Sequence, residues 1–119
     1  MGWHVPTDAE WAVLTDDYLG GFEVSGGKMK TTGTIEAATG LWYNPNIGAT
    51  NSSGFSGAPG GLRYGSGFYY GFGSYGGWWS ASEVGAGSAW VRDLEYNDID
   101  VGSDDSSKRV GFSVRCLRD

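Results

Sequence analysis

The stretch "AWVRDLEYNDIDVGSDDSSKRVGFSVRC", residues 89–116, decides how this chain is read. Both of its ends carry the alternation of a β-strand, in which successive side chains point to opposite faces. Over "SAWVRDLEY" the alternation puts Trp90, Leu94 and Tyr96 inward and Asp93 and Glu95 outward. In "VGFSVRC" it puts Val110, Phe112, Val114 and Cys116 on one face and Gly111, Ser113 and Arg115 on the other. Cys116 is therefore expected to be a buried small hydrophobe, not a nucleophile. Between the two strands lies a run of Asp, Ser, Asn and Gly that no apolar core requires.

Working outward, "VPTDAEWAVLTDDYLGG" near the start reads as a helix. Thr7 and Glu10 have the spacing of a capping box, and Asp8 adds negative charge at the positive end of the helix dipole. Trp11, Leu14 and Tyr18 are expected on one face, and Gly20-Gly21 stops the helix. "SGGKMKTTG" has room for a second, short helical turn. From Leu41 onward the pattern changes to short apolar runs broken by Gly, Pro and Asn. The aromatic residues between Gly54 and Gly77 are spaced like core contacts. Trp78 and Trp79 are adjacent, so in a strand one faces the core while the other closes the opposite side or meets a ligand. The order of elements predicts an α+β domain spanning residues 1–119, with one or two helices packed on an antiparallel sheet with long irregular loops.

A chain of 119 residues suits a single domain. Aromatic residues at 15 % exclude a disordered chain, and 22 glycines imply short strands with many turns. The net charge of −6, with only 8 Lys and Arg, excludes a nucleic-acid footprint or a basic membrane-surface patch. No apolar run approaches the ~18 residues of a membrane span, so direct membrane insertion is not expected. Met1-Gly2 leads straight into Trp3 without a leader, which reads as a domain trimmed from a longer protein.

Catalytic constellations are scarce. His4 is the only histidine and Cys116 the only cysteine, which leaves no second partner for a triad, a thiolate cluster or an internal disulfide. "DIDVGSDD" invites a calcium reading, but its spacing is not that of an EF-hand loop and no bidentate Glu follows. Neither a metal site nor a cofactor is expected. "GGLRYGSG" lacks the residues of a phosphate loop, and "NSS" at 51–53 is a glycosylation pattern common by chance.

Seven motifs carry a resemblance to a known family: "WHVPTDAEW", "GGKMK", "GATNSSGFSGAPGG", Arg63, "WWSAS", "AWVRDLEY" and the terminal "GFSVRC". In this order they resemble the Fibrobacter succinogenes major paralogous domain. The resemblance implies a compact relative of the C-type lectin fold, in the version shared with formylglycine-generating enzyme. The enzyme branch of that superfamily uses cysteine chemistry, and the lone Cys116 with its inward parity departs from it, so no enzymatic activity is expected. Family members occur in exported or surface proteins, often with lipoprotein leaders, which implies an extracellular or cell-surface location. The same fold is the scaffold of variable proteins diversified by retroelements. On that analogy Trp90, Arg92, Leu94, Tyr96, Val101, Lys108, Gly111, Phe112, Val114 and Cys116 form the frame. Asp93, Asp98, Ile99, Asp100, Gly102, Ser103, Asp104, Asp105, Ser106, Arg109 and Val110 would be free to vary.

The resulting expectation is a non-catalytic recognition domain displayed on a cell or particle surface, with a protein or glycan as its ligand. Its binding face would combine Tyr64, Tyr69, Tyr75 and Trp79 with Arg92, Asp93, Glu95, Asn97, Asp98, Asp100, Ser103, Asp104 and Asp105. Arg92 is counted both in the frame and on this face. Tyr, Asn, Asp and Ser supply aromatic contact area and adaptable hydrogen bonds at modest entropic cost. The alternative is a structural adhesion or spacer module with no small ligand.

Overall fold

Thr7 and Glu10 begin the first helix, α1 (Asp8–Ala12), with reciprocal hydrogen bonds across the capping box. The computed structural model describes residues 2–119. Beyond Ala12 the chain widens into a π-helical turn, Val13–Tyr18, closed by the Leu19 amide donating to the Leu14 carbonyl at 2.9 Å. The wider turn changes which side chains face inward. Trp11 and Thr15 are buried, whereas Tyr18, expected beside Trp11 and Leu14, is 77 % exposed. Gly20 and Gly21, at φ +94° and +111°, end the segment as their positions predict.

The second helix, α2 (Phe22–Met29), is longer than the short turn read from "SGGKMKTTG". Two mid-helix glycines weaken its local signal. Packing explains them: a side chain on Gly26 would collide with the Asp100 backbone, and one on Gly27 with the Gly48 backbone. The helix is thereby free to touch the residue 97–101 turn, where Gly27 N–H donates to the Ile99 carbonyl at 2.9 Å. Val101 N–H returns a 2.9 Å bond to the Phe22 carbonyl.

The strands are β1 (Trp3–His4), β2 (Gly60–Arg63), β3 (Tyr69–Phe72), β4 (Tyr75–Val84), β5 (Ser88–Glu95), β6 (Gly102–Ser107) and β7 (Leu117–Arg118). Five form a curled sheet in the order β3-β2-β4-β5-β6, and β1 pairs antiparallel with β7. The sheet is mixed, not purely antiparallel as expected, because β2 runs parallel to β4 at Gly61 and Gly76. Two helices against a five-stranded sheet make the α+β architecture that the sequence predicts.

The core lies between the helices and one face of β4 and β5. Trp11, Met29, Trp42, Phe55, Trp78 and Leu94 are buried together. Phe55 stands edge-on to both Trp11 and Trp78, with ring centroids 5.8 and 5.2 Å away. Leu94 is buried and Tyr96 packs against this core, in keeping with the expected alternation. Trp90 is only half-buried.

The C-terminal segment departs from its pattern. Residues 110–116 do not form one regular strand, because their hydrogen bonds go to two diverging neighbours. Gly111 exchanges bonds with Arg63 of β2, while Ser113 bonds with Gly77 and Trp79 of β4. Wedged in this way, the segment has no continuous layer over its apolar parity. Phe112 and Val110 are half-buried, and Val114 and Cys116 are exposed. The expectation of a buried Cys116 is therefore corrected.

Lys30, just past the end of α2, is fully buried. Its ammonium donates to the carbonyls of Ile47, Glu95 and Asp98 at 2.7, 2.9 and 2.7 Å. Burial pushes its pKa down to about 8, and the Asp98 charge opposes that shift. The amine also sits 5.7 Å from the centroid of the buried Trp42 ring. Lys30→Met keeps the apolar volume but strands three buried acceptors. Denaturant unfolding is expected to show a loss of about 3 kcal/mol or more, and a loss below about 1 kcal/mol would contradict the role assigned to this amine.

Candidate ligand-binding surface

The structure sorts the expected site residues into four places. On the sheet face away from the core, β4 presents Tyr75 and Trp79, β5 presents Asp93 and Glu95, and the exposed strand β6 presents Asp104. Register brings them together: Tyr75 lies opposite Glu95, Gly77 opposite Asp93, and Asp104 opposite Val91. Phe112 lies over this face, edge-on to Trp79 at 4.9 Å between centroids and 6.4 Å from Tyr75. Only glycine fits at position 77, since an added Cβ would lie 2.7 Å from the Phe112 ring. A side chain on Gly102 would displace the Asp93 carboxylate.

Asp93 does not point freely outward as the alternation implied. It is half-buried, with the Tyr75 hydroxyl beside its carboxylate. Burial, followed by the neighbouring Glu95 charge, raises its pKa to about 6. The Tyr75 phenol is pushed upward, first by its own burial and then by the Asp93 charge, so it acts as a hydroxyl donor.

A second group is built into the frame. Arg92 lies on the core side of β5, 5 % exposed, in an ion pair with the Asp8 carboxylate at the start of α1. It belongs to the frame and is removed from the binding face. Ser103 and Asp105 face the same side as Arg92, because β6 alternates about the register Arg92 to Ser103 and Trp90 to Asp105. Asp104 and Asp105 therefore diverge from each other. Among the described residues no group of three or more His, Cys, Asp or Glu side chains is arranged to hold a metal ion.

The third group is the turn from β5 to β6. Asn97 is exposed, Asp98 gives its carbonyl to Lys30, and the Asp98 carboxylate accepts from the Asp100 amide at 3.0 Å. The beginning of the polar run is thus a structural cap over Lys30. Val101 beneath it is buried in the core.

The fourth group is the β2–β3 arm, which carries Tyr64 and Tyr69. Its turn is closed by Tyr64 N–H to the Phe68 carbonyl and Gly67 N–H to the Tyr64 carbonyl, at 2.7 and 2.8 Å. Aromatic residues that looked like core contacts are on its surface: Tyr69 is 81 % exposed, Phe68 and Phe72 74 %, and Tyr70 61 %. The Tyr64 and Tyr70 rings lie 6.2 Å apart, and the Arg63 guanidinium sits over the Tyr69 ring at 6.0 Å. A shallow groove lined by Arg63, Tyr69, Gly111 and Phe112 joins this arm to the sheet face. Phe68, Tyr70 and Phe72 are exposed beside the expected residues but are not among them. Their signal is electrostatic, since Arg63 is the only charged residue between Glu36 and Glu83.

Asp93 predicts a pH effect. Its folded pKa of about 6 lies above an ordinary 3.8, so the folded chain binds this proton more tightly than the unfolded one. The group costs stability above pH ~6, and the cost fades as pH falls toward ~4. Asp93→Asn keeps an acceptor for Tyr75 and removes the charge. Its melting temperature should exceed the parent's by about 3–6 °C at pH 8, converging with it near pH 4. Calorimetry finding a pH-independent difference, or a loss at pH 8, would contradict the assignment.

Comparison with known proteins places this architecture in a family. A family model described as the Fibrobacter succinogenes major domain matches residues 1–118. No curated protein and no solved structure matches the chain. Because the match runs through the helices, the sheet and both paired ends, this chain belongs to the Fibrobacter succinogenes major domain family.

Proposed function

We propose that this chain is a non-catalytic ligand-recognition domain, displayed on a cell or particle surface, whose contact surface is the β2–β3 arm. The observation that carries this reading is the row of exposed rings at Phe68, Tyr69, Tyr70 and Phe72. Exposed aromatic surface concentrated on one arm, on both faces of β3, is unfavourable for a free soluble domain and marks a place where a partner excludes water. Tyrosines add rigid area with a hydrogen-bonding tip. The near-absence of charge around the arm suits an uncharged face of a protein or glycan ligand. The sheet face with Tyr75, Trp79 and Asp104 extends the same surface across the shallow groove.

The spacer alternative is disfavoured by the chain ends. Trp3 pairs with Arg118, so a linear spacer would gain almost no length from this domain. The lectin-like relationship is part of the same proposal, supported by helices packed on a curled sheet with long irregular connections. Retroelement diversification is its narrowest form. It has Ser103, Asp104 and Asp105 as exposed positions able to vary, while Ile99 and Gly102 leave the variable set. Ile99 packs over Gly27 and Gly48, and a side chain at Gly102 would displace the Asp93 carboxylate. A neighbouring reverse-transcriptase gene with an imperfect repeat of the C-terminal coding segment would support that form, and its absence would remove it.

The arm is tested by Tyr69→Ala with Phe72→Ala, compared with Trp78→Ala. The arm variant should melt within about 2 °C of the parent, whereas loss of the buried Trp78 should cost about 3–5 kcal/mol. Binding would be screened on a glycan array and on a panel of surface proteins. Any partner bound by the parent should be lost by the arm variant. Retained binding, or destabilisation equal to that of Trp78→Ala, would overturn the assignment.

A further inference from the structure

Between α1 and the paired chain ends lies a cleft of about 450 Å³. Its walls are Trp3, Pro6, Trp11, Leu14, Phe55 and Leu117, and Arg115, Cys116, Arg118 and Glu10 complete the lining. We propose that this cleft binds a small amphipathic anion, an apolar body carrying one carboxylate or comparable group.

Three observations carry the proposal. The cleft is concave, apolar and of ligand size, the combination typical of small-molecule sites. One of its two guanidinium groups is held in place: Arg115 donates to the Phe55 carbonyl at 2.7 Å and stacks on the Phe55 ring at 4.6 Å. A guanidinium anchored in this way has already lost much of its rotamer freedom, so less is lost when an anion binds. The side chains that line the cleft also carry two guanidiniums against the single carboxylate of Glu10. Glu10 lines the cleft, but its carboxylate accepts from His4 Nε2 at 2.9 Å and from the Thr7 amide at 3.1 Å. Arg118 has no ion-pair partner among the described residues. In a chain of net charge −6, two guanidiniums beside an apolar hollow select an anion with an apolar body.

The cleft does not share residues with the aromatic arm, so the proposal stands or falls separately from the recognition surface.

Cys116 makes the test direct, because it lines the cleft, is exposed and is the only thiol in the chain. The native protein would be alkylated with iodoacetamide in the presence of decanoate below its micelle-forming concentration, or of decan-1-ol. Decanoate should slow labelling saturably, by about tenfold or more, while the alcohol at equal concentration slows it less than about twofold. Arg118→Gln, an exposed change, should keep the parent's melting temperature and its labelling rate without ligand. It should raise the half-protecting decanoate concentration by about tenfold, the worth of one charge-assisted hydrogen bond. Leu117→Glu, which adds a negative charge to the cleft, should abolish protection. No protection by decanoate overturns the site. Equal protection by the alcohol, or unchanged protection in a folded Arg118→Gln protein, overturns the anionic specificity. If a variant fails to fold, the comparison of decanoate with decan-1-ol on the parent protein decides alone.

Discussion

The ammonium of Lys30 is the interaction on which the arrangement of this fold depends. A buried positive charge is costly unless its donors are satisfied, and here three carbonyls from three segments satisfy them. Ile47 contributes from the long connection after the helices, Glu95 from the end of β5, and Asp98 from the turn that leads to β6. None of these segments is regular helix where it meets the amine, so each would otherwise have carbonyls to satisfy elsewhere. Gly26 and Gly27 let α2 lie against the turn and the loop closely enough for Lys30 to reach them. The motif "GGKMK" thus combines close backbone approach with one cation that ties the approached segments together.

That tie has consequences across the sheet. With the turn held over Lys30, β6 is set beside β5 in the register that places Asp104 on the face of Tyr75 and Asp93. The two edges of the sheet then have opposite character. On β6, adjacent aspartates discourage another strand from pairing, a common protection of an exposed edge. On β3, the sequence Tyr69-Tyr70-Gly71-Phe72 presents rings and no charge. One edge repels company and the other has surface to offer, which is why the arm and not the acidic run is the centre of the proposed recognition surface.

The chain ends are organised by a different device. His4 places its two ring nitrogens against the carboxylates of Glu10 and Asp119, at 2.9 and 2.8 Å. The Glu10 hydrogen bond, then that of Asp119, raises the His4 pKa, so this contribution to stability is present below the ordinary 6.5 and is lost as pH rises through the raised value. The clamp joins β1 to the end of the chain beside β7, and of its three side chains only Glu10 lines the cleft that contains Cys116 and Arg115.

Local signals were legible where a residue's neighbours in sequence are also its neighbours in space. The capping box of Thr7 and Glu10, the glycine stop at Gly20-Gly21 and the opposed faces of Trp78 and Trp79 follow from spacing of three residues or fewer. Leu94 in the core follows from strand alternation within β5. Of the residues that residue type puts on the candidate surface, Tyr64, Tyr69, Glu95 and Asp104 are exposed and Tyr75 and Trp79 half-buried. The rest depends on what lies across from each residue. Alternation assigned Asp93 to solvent, but β6 and Tyr75 half-bury it. It assigned Cys116 to the interior, but the segment is split between β2 and β4 and leaves the thiol outside. Arg92 has the composition of a binding residue, yet its partner is Asp8, 84 positions away. The sequence by itself determined the start and stop of the first helix and the alternation of β4 and β5, because helix caps, glycine turns and strand alternation are short-range physics. Only the tertiary structure decided which charges are buried and which rings are exposed, because desolvation and ion pairing are set by atoms brought from distant parts of the chain.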